Sequence, residues 1–251
     1  MSWPQALLVL VAGIAAGTIN TVVGSGTLIT FPVLLTIGLS PLSANISNTV
    51  GLAPGSIVGA IGYRNELSGQ LPRAIRLGVG SGLGGLLGAV LLLVLPDNAF
   101  EAVVPALVAL GIALVVLGPY ISRRLEAAQR YPGADVTAPM WAATFGVGIY
   151  GGYFGAAQGV LLVGILGMLL AESLQRINAL KNVLAGVANG IAALVFAPTP
   201  HLNWAVAGLI AAGSMAGAVI GARVGRRLPP NVLRAVIVIV GLVALGKLLL
   251  G

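Results

Sequence analysis

The sequence predicts an all-α, polytopic membrane protein made of two inverted repeats of about five helical segments each. The first two segments of each repeat form a helical hairpin, either broken and spanning or re-entrant, that starts and ends on one side. Three observations carry this reading. The 251-residue chain is 58% hydrophobic and only 8% charged, whereas a soluble domain carries about 25% charged residues. It therefore lacks the polar surface to face water on all sides. Its apolar segments recur at a constant offset. Two of them follow glycine-punctuated breaks and are too short to cross a bilayer.

In chain order the apolar segments run at 5–23, 26–38, 43–62, 73–95, 99–121, 139–157, 159–171, 177–197, 203–222 and 231–250. Most approach the ~20 residues a helix needs to cross a ~30 Å hydrocarbon core. The runs 26–38 and 159–171 reach only about 20 Å at ~1.5 Å per residue. Each follows a break, Gly24-Ser25-Gly26-Thr27 in the first case and Gly155-Ala156-Ala157-Gln158-Gly159 in the second. The 37 glycines suit close helix packing in lipid. Gly80, Gly84 and Gly88, and again Gly213, Gly217 and Gly221, are spaced by four and read as packing ridges. Gly80-Ser81-Gly82-Leu83-Gly84-Gly85 imitates a dinucleotide-binding turn, but no strand precedes it.

The offset is 133 residues. It carries Gly13 to Gly146, Gly26 to Gly159, Leu28 to Leu161, Asn45 to Asn178, Ser81 to Ser214 and Pro96 to Pro229. Asn on Asn and Pro on Pro do not follow from composition, so the chain reads as a duplication. Residues 1–121 form the first repeat, 122–138 a cytoplasmic linker and 139–251 the second repeat.

Charge orients the repeats. Arg64, Arg73 and Arg76, then Arg123, Arg124 and Arg130, then Arg176 and Lys181, then Arg223, Arg226, Arg227 and Arg234 form four clusters. One topology places all four on the same side, which the positive-inside rule makes cytoplasmic. The loop after residue 62 is then inside while its equivalent near 197 is outside, so the repeats are inverted. Both termini fall outside. The N-terminal segment recurs later in the chain and reads as a retained span rather than a cleaved signal.

Composition also excludes classes of chemistry. The chain has no cysteine and a single histidine, His201, in a predicted outer loop. No Asp or Glu lies in the middle of an apolar segment, so neither a thiolate metal site nor a carboxylate proton relay is expected. No nucleophile–base pair marks an enzyme. The net charge of +7 reads as loop anchors rather than a nucleic-acid surface. Neither cofactor nor metal is expected.

Inverted repeats with short, interrupted segments in matching positions point to a secondary transporter, with its site at the breaks. A helix that starts at a break offers unpaired N–H groups and a positive dipole end to an anion. The candidate substrate residues are Asn20, Thr21, Ser25, Gly26 and Thr27 at the first break, with Asn45, Asn48 and Thr49 on the next helix. Tyr153, Gln158 and Gly159 match them at the second break, followed by Asn178, Lys181 and Asn182. Buried amides also serve as helix-to-helix hydrogen bonds. Lys181 either snorkels to the cytoplasmic surface or contacts the anion. Arg176 reads as an interfacial anchor paired with Glu172 at i,i+4.

Leu28-Ile29-Thr30-Phe31-Pro32 after the glycine break, Gly62-Tyr63-Arg64-Asn65-Glu66-Leu67, and Arg73-Ala74-Ile75-Arg76-Leu77-Gly78 resemble the TauE/SafE family of sulfite and organosulfonate exporters. The resemblance spans nearly the whole chain. Gly-Ser-Gly-Thr stands where members often carry a longer glycine run, and the second break lacks their usual proline. It implies a multi-pass inner-membrane transporter for sulfite, sulfoacetate or another organosulfonate, working by alternating access. A passive anion channel is the alternative. The expected partners are the small anion, the lipid bilayer and a second copy in a homodimer, with no nucleic acid.

Reporter fusions within 123–135 are predicted to report a cytoplasmic location; an external location would overturn the orientation.

Overall fold

Among the described residues, ten helices follow the ten predicted segments. The computed structural model describes residues 1–127, 136–224 and 230–250. The helices are α1 (Trp3–Val22), α2 (Thr27–Thr36), α3 (Pro41–Gly62), α4 (Leu71–Val94), α5 (Asp97–Ala127), α6 (Ala138–Tyr153), α7 (Gln158–Leu169), α8 (Leu174–Phe196), α9 (Trp204–Val224) and α10 (Pro230–Leu250). Their starts are written locally. Ser40, Thr137 and Ser173 each accept the backbone N–H three residues on, from Ser43, Met140 and Arg176 at 3.3, 3.4 and 3.4 Å. Such caps satisfy donors that a helix cannot pair internally. Pro41 supplies a preset φ at the first position of α3.

Two boundaries differ from expectation. α5 runs to Ala127, into the stretch assigned to the linker, because Ser122 to Ala127 contains neither Gly nor Pro. Residues 128–135 with Arg130, and 225–229 with Arg226, Arg227 and Pro229, lie outside the described residues. α6 stops at Tyr153 rather than near 157, since Gly155 at φ 73° and Ala157 at φ 60° sit in the left-handed region, which a right-handed helix cannot continue through. The short helices span 10 residues in α2 and 12 in α7.

The helix starts share the 133-residue offset. α3, α4 and α5 begin at Pro41, Leu71 and Asp97; α8, α9 and α10 begin 133 positions later, at Leu174, Trp204 and Pro230. Contacts exchange accordingly: α1 packs on α9 as α6 packs on α4, and α3 packs on α9 as α8 packs on α4. The Ser81 hydroxyl donates to the Leu184 carbonyl at 2.8 Å, and the Ser214 hydroxyl to the Gly51 carbonyl at 2.9 Å. Both donors and both acceptors are related by 133.

Contact order along the helices gives their directions. Gly13, Gly17 and Thr18 on α1 meet Ile210, Ser214 and Gly217 on α9, so these two run parallel. Gly51, Gly55 and Gly62 on α3 meet Ile210, Ser214 and Ala222, so α3 shares that direction. On the other set, Gly84 and Gly88 of α4 meet Phe145 and Ile149 of α6, and Ser81 and Gly85 meet Leu184 and Ala188 of α8. The start of α8 lies beside the end of α1, where Lys181 reaches Asn20 and Thr21. The α1–α3–α9 set therefore runs opposite to the α4–α6–α8 set.

One end of the bundle carries an ionic clasp. Glu172 accepts from Arg176 at 2.6 Å and from Arg73 at 2.9 Å. Arg176 also donates to the Ser68 carbonyl at 3.1 Å, and Gln70 to the Arg176 carbonyl at 3.3 Å. Burial alone raises the Glu172 carboxyl, but the two arginines outweigh it and hold its pKa below the ordinary value. That contribution is present above the ordinary carboxylate range and is lost as pH falls through the lowered value. The predicted Arg176–Glu172 pair thus forms, and it ties α8 to α4 as well.

Among the described residues, five helices are long and apolar enough to cross a membrane by themselves: α1, α4, α5, α8 and α9. α3 has the length, at 22 residues, but carries Asn45, Ser47, Asn48 and Thr49. Large apolar side chains such as Val79, Leu83, Leu86, Ile239, Leu242 and Val243 point outward, which suits lipid rather than water.

The small-residue ridges set the helix spacing. A Cβ on Gly217 would stand 2.0 Å from the Ile14 carbonyl, and one on Gly84 2.1 Å from the Phe145 carbonyl. Gly217→Val and Gly84→Val are predicted to destabilise by ~1–3 kcal/mol or more in detergent thermal unfolding. Gly146→Ala, which meets nothing within 4 Å, should leave the midpoint unchanged.

Candidate functional site

The two glycine breaks touch. Gly24 has φ 88°, a conformation glycine adopts at no steric cost, and its carbonyl accepts the Gly159 N–H at 3.1 Å. A Cβ on Gly24 would lie 2.4 Å from the Gly159 Cα, so nothing larger than hydrogen fits. The short helices α2 and α7 leave from this shared point.

The breaks differ in one respect that sequence reading did not anticipate. At α7 the first donors are taken: Gln158 N–H goes to Gly155 at 3.2 Å, Gly159 to Gly24, and Val160 to Ala157 at 3.0 Å. At α2 the Leu28 and Ile29 N–H groups turn back onto Ser25 and Gly26 at 3.2 and 2.9 Å. The N–H groups of Ser25, Gly26 and Thr27 precede that turn, where a helix has no acceptors of its own. The expectation of two equivalent open tips is thereby corrected; the second tip closes on the first because Gly159 has a carbonyl within reach.

Four buried side-chain atoms near the breaks lack hydrogen-bond partners: Ser25 Oγ, Gln158 Nε2, Asn45 Oδ1 and Asn178 Oδ1. They form two pairs related by 133. Ser25 is 1% exposed and Gln158 3%, and the Gln158 amide lies over Gly151, where a Cβ would come within 2.3 Å of Nε2. Leaving a buried polar atom unmade costs about 1–3 kcal/mol. Two such pairs beside one backbone junction form a polar centre inside an apolar bundle. The Gln158 amide and Ser25 hydroxyl can donate; the two Asn oxygens can only accept.

Lys181 neither snorkels nor stands free. It is 1% exposed, and its Nζ donates to the Asn20 and Thr21 carbonyls at 2.9 and 3.0 Å. The Asn178 and Asn182 amides also donate to Thr21, each at 3.3 Å. Together they cover the carbonyl end of α1, the negative end of its dipole. The Lys181 stem lies against Gly159, whose Cβ would meet Cδ at 2.9 Å.

The remaining candidates divide into two groups. Asn45 donates to the Tyr153 carbonyl at 2.9 Å, joining α3 to the end of α6. Asn48 donates to Thr27 at 3.2 Å and accepts from Thr30, which fixes the first turn of α2 to α3. Asn20 donates to Ser56 at 3.3 Å. Thr21 enters through its carbonyl, the Thr21 and Thr49 side chains are buried, and Gly26 packs on the Ala16 carbonyl and Asn20. Tyr153 is half-buried, with its ring 5.7 Å from Phe100.

Sequence reading missed Ser56 and an aromatic group around the second break. Ser56 lies seven residues after Thr49 on the same face of α3, a spacing that would have found it. Phe31 packs edge-on to Phe154 at 5.3 Å, and Phe100 reaches both Phe154 and Tyr153. These rings are distant in sequence and carry no pattern. Cavities of about 460 and 500 Å³ lie elsewhere, on the outer flank of α4, and no residue of the breaks lines them.

Comparison with known proteins places these residues in a wider set. The family model described as sulfite exporter TauE/SafE matches residues 9–248. The probable membrane transporter protein YfcA of Escherichia coli K12 is 26% identical over 237 residues, covering 93% of this chain and 86% of that protein. The probable membrane transporter protein ORF9 of a Sinorhizobium species is 26% identical over 245 residues, covering 95% and 90%. A probable membrane transporter protein of Haemophilus influenzae is 24% identical over 236 residues, covering 94% and 91%.

Lys181→Met removes the cap from α1 while keeping the stem. We predict that it inserts in the membrane but loses about 1.5–3 kcal/mol of stability, the worth of hydrogen bonds from a charged donor. An unchanged thermal midpoint would remove Lys181 from that role.

Proposed function

Because the chain belongs to the TauE/SafE sulfite exporter family, a family of multi-pass membrane transporters and not of enzymes, we propose that it is a secondary transporter for a small sulfur oxyanion such as sulfite, sulfoacetate or another organosulfonate. It works by alternating access in the inner membrane. The anion sits at the joined breaks, held by Ser25, Thr27 and Gln158, with Asn45, Asn48, Asn178, Lys181 and Asn182 around it.

One observation carries the site: the Ser25 hydroxyl and the Gln158 amide are buried, register-related and without partners beside the Gly24–Gly159 junction. Neutral donors at a helix start suit an oxyanion, whose oxygens accept hydrogen bonds and whose charge the α2 dipole favours. Support for inverted repeats comes from the opposed directions of the two helix sets and from the register shared by their starts. Support for a cytoplasmic clasp comes from Arg73, Arg176 and Glu172 at one bundle end. The transporter reading is preferred to a channel because the backbone contact of Gly24 with Gly159 leaves no open path between the breaks, and because the relatives are named as transporters.

Binding of sulfite, sulfate, sulfoacetate, taurine and carboxylate analogues to purified protein tests this reading by isothermal titration. We predict saturable binding of at least one sulfur oxyanion. Gln158→Leu should weaken it about tenfold or more, the equivalent of one lost hydrogen bond of ~1.4 kcal/mol. No binding of any sulfur oxyanion, or unchanged affinity in Gln158→Leu, would overturn it.

A further inference from the structure

α1 and α6 are register mates, and each stops inside the bundle. A helix C-terminus leaves unpaired carbonyls and the negative end of a dipole, which a cation satisfies best. At α1 a basic side chain is built in. Lys181 donates to Asn20 and Thr21 at 2.9 and 3.0 Å, and the Asn178 and Asn182 amides add two bonds to Thr21.

The α6 end is furnished differently. The register mates of Asn20 and Thr21 are Tyr153 and Phe154. One neutral donor reaches them, the Asn45 amide at 2.9 Å from the Tyr153 carbonyl. Lys181 is matched by Asn48, a shorter side chain whose amide is held by Thr27 and Thr30 on α2. Asn182 is matched by Thr49. The α6 end therefore has an amide where the α1 end has an ammonium and two amides.

A second observation falls at the same place. Asn45 is 0% exposed and its Oδ1 has no partner. A carboxamide oxygen only accepts, so beside a carbonyl end it needs a donor or a cation. Asn178 Oδ1 also lacks a partner; the difference between the two ends lies in the Thr21 carbonyl, which the Asn178 amide shares with Lys181.

We propose that the C-terminal end of α6 binds a small monovalent cation, sodium, through Asn45 Oδ1 and the terminal carbonyls of Tyr153 and Phe154, in the place that Lys181 fills at α1. The oxygen set is neutral and hard. It has neither the carboxylates that calcium and magnesium draw nor the nitrogen and sulfur that transition metals prefer. Half-helix C-terminal ends and irregular backbone carbonyls form such sites in transporters generally. The site itself does not need the anion reading; only its use as a coupling ion, entering with the anion and offsetting its charge, rests on that reading.

The test is thermal unfolding of the purified protein in detergent, with sodium chloride exchanged for choline or potassium chloride at constant ionic strength. Sodium should raise the midpoint saturably by roughly 2–4 °C. Asn45→Ala should abolish the rise. Asn45→Asp, which keeps the oxygen and adds charge, should reach half-effect at about tenfold lower sodium, a gain of ~1.4 kcal/mol. Asn48→Lys, which supplies a tethered ammonium, should be insensitive to sodium. No rise, an equal midpoint in all three salts, or a rise of full size in Asn45→Ala overturns the site. Anion titration in choline chloride separates the two readings: binding there without a sodium effect rejects the cation site alone, and a sodium effect without anion binding rejects the anion site alone.

Discussion

A helix that ends away from water must have its terminal backbone groups met by protein, because lipid offers neither donors nor acceptors. Among the described residues, α1 ends at Val22 and α6 at Tyr153, and buried polar side chains meet both ends. Lys181, Asn178 and Asn182 meet the end of α1; Asn45 meets the end of α6; Asn48 and the threonines of α2 fasten the start of the next short helix. The polar centre is what remains after those needs are met.

Close packing makes the arrangement possible. α1 on α9 and α4 on α6 approach until backbone meets backbone, at Gly217 against Ile14 and at Gly84 against Phe145. The same economy of volume brings Gly24 onto Gly159. Without side chains at these points the dispersion contacts and short hydrogen bonds replace a hydrophobic driving force that lipid does not supply. The serine pair Ser81 and Ser214 adds one cross-helix bond in each half.

The 133-residue register relates the two halves, but the residues it matches differ at the breaks. Ser81 and Ser214 kept the same partners across the register. Asn48 and Lys181 did not, and neither did Thr49 and Asn182. One break therefore closes around a basic side chain and the other around amides, and the α7 donors are spent where those at the start of α2 are not. The two register-matched hairpins thus present different chemistry at a common junction.

Composition and spacing by themselves determined the helical membrane class, the ten segments and the 133-residue register, because these depend on apolar length and local caps that act within a few residues. They also marked the glycine breaks, since a positive φ and a short apolar run leave a local signature. Which polar groups are spent and which are spare was decided only by tertiary structure. That Lys181 meets the end of α1, and that Asn48 bonds to Thr27 and Thr30, became visible only there. Aromatic packing of Phe31, Phe100 and Phe154 is likewise invisible in the chain. A hydrogen bond belongs to two groups, and where they lie more than 100 positions apart, as Asn45 and Tyr153 do, only the fold brings them together.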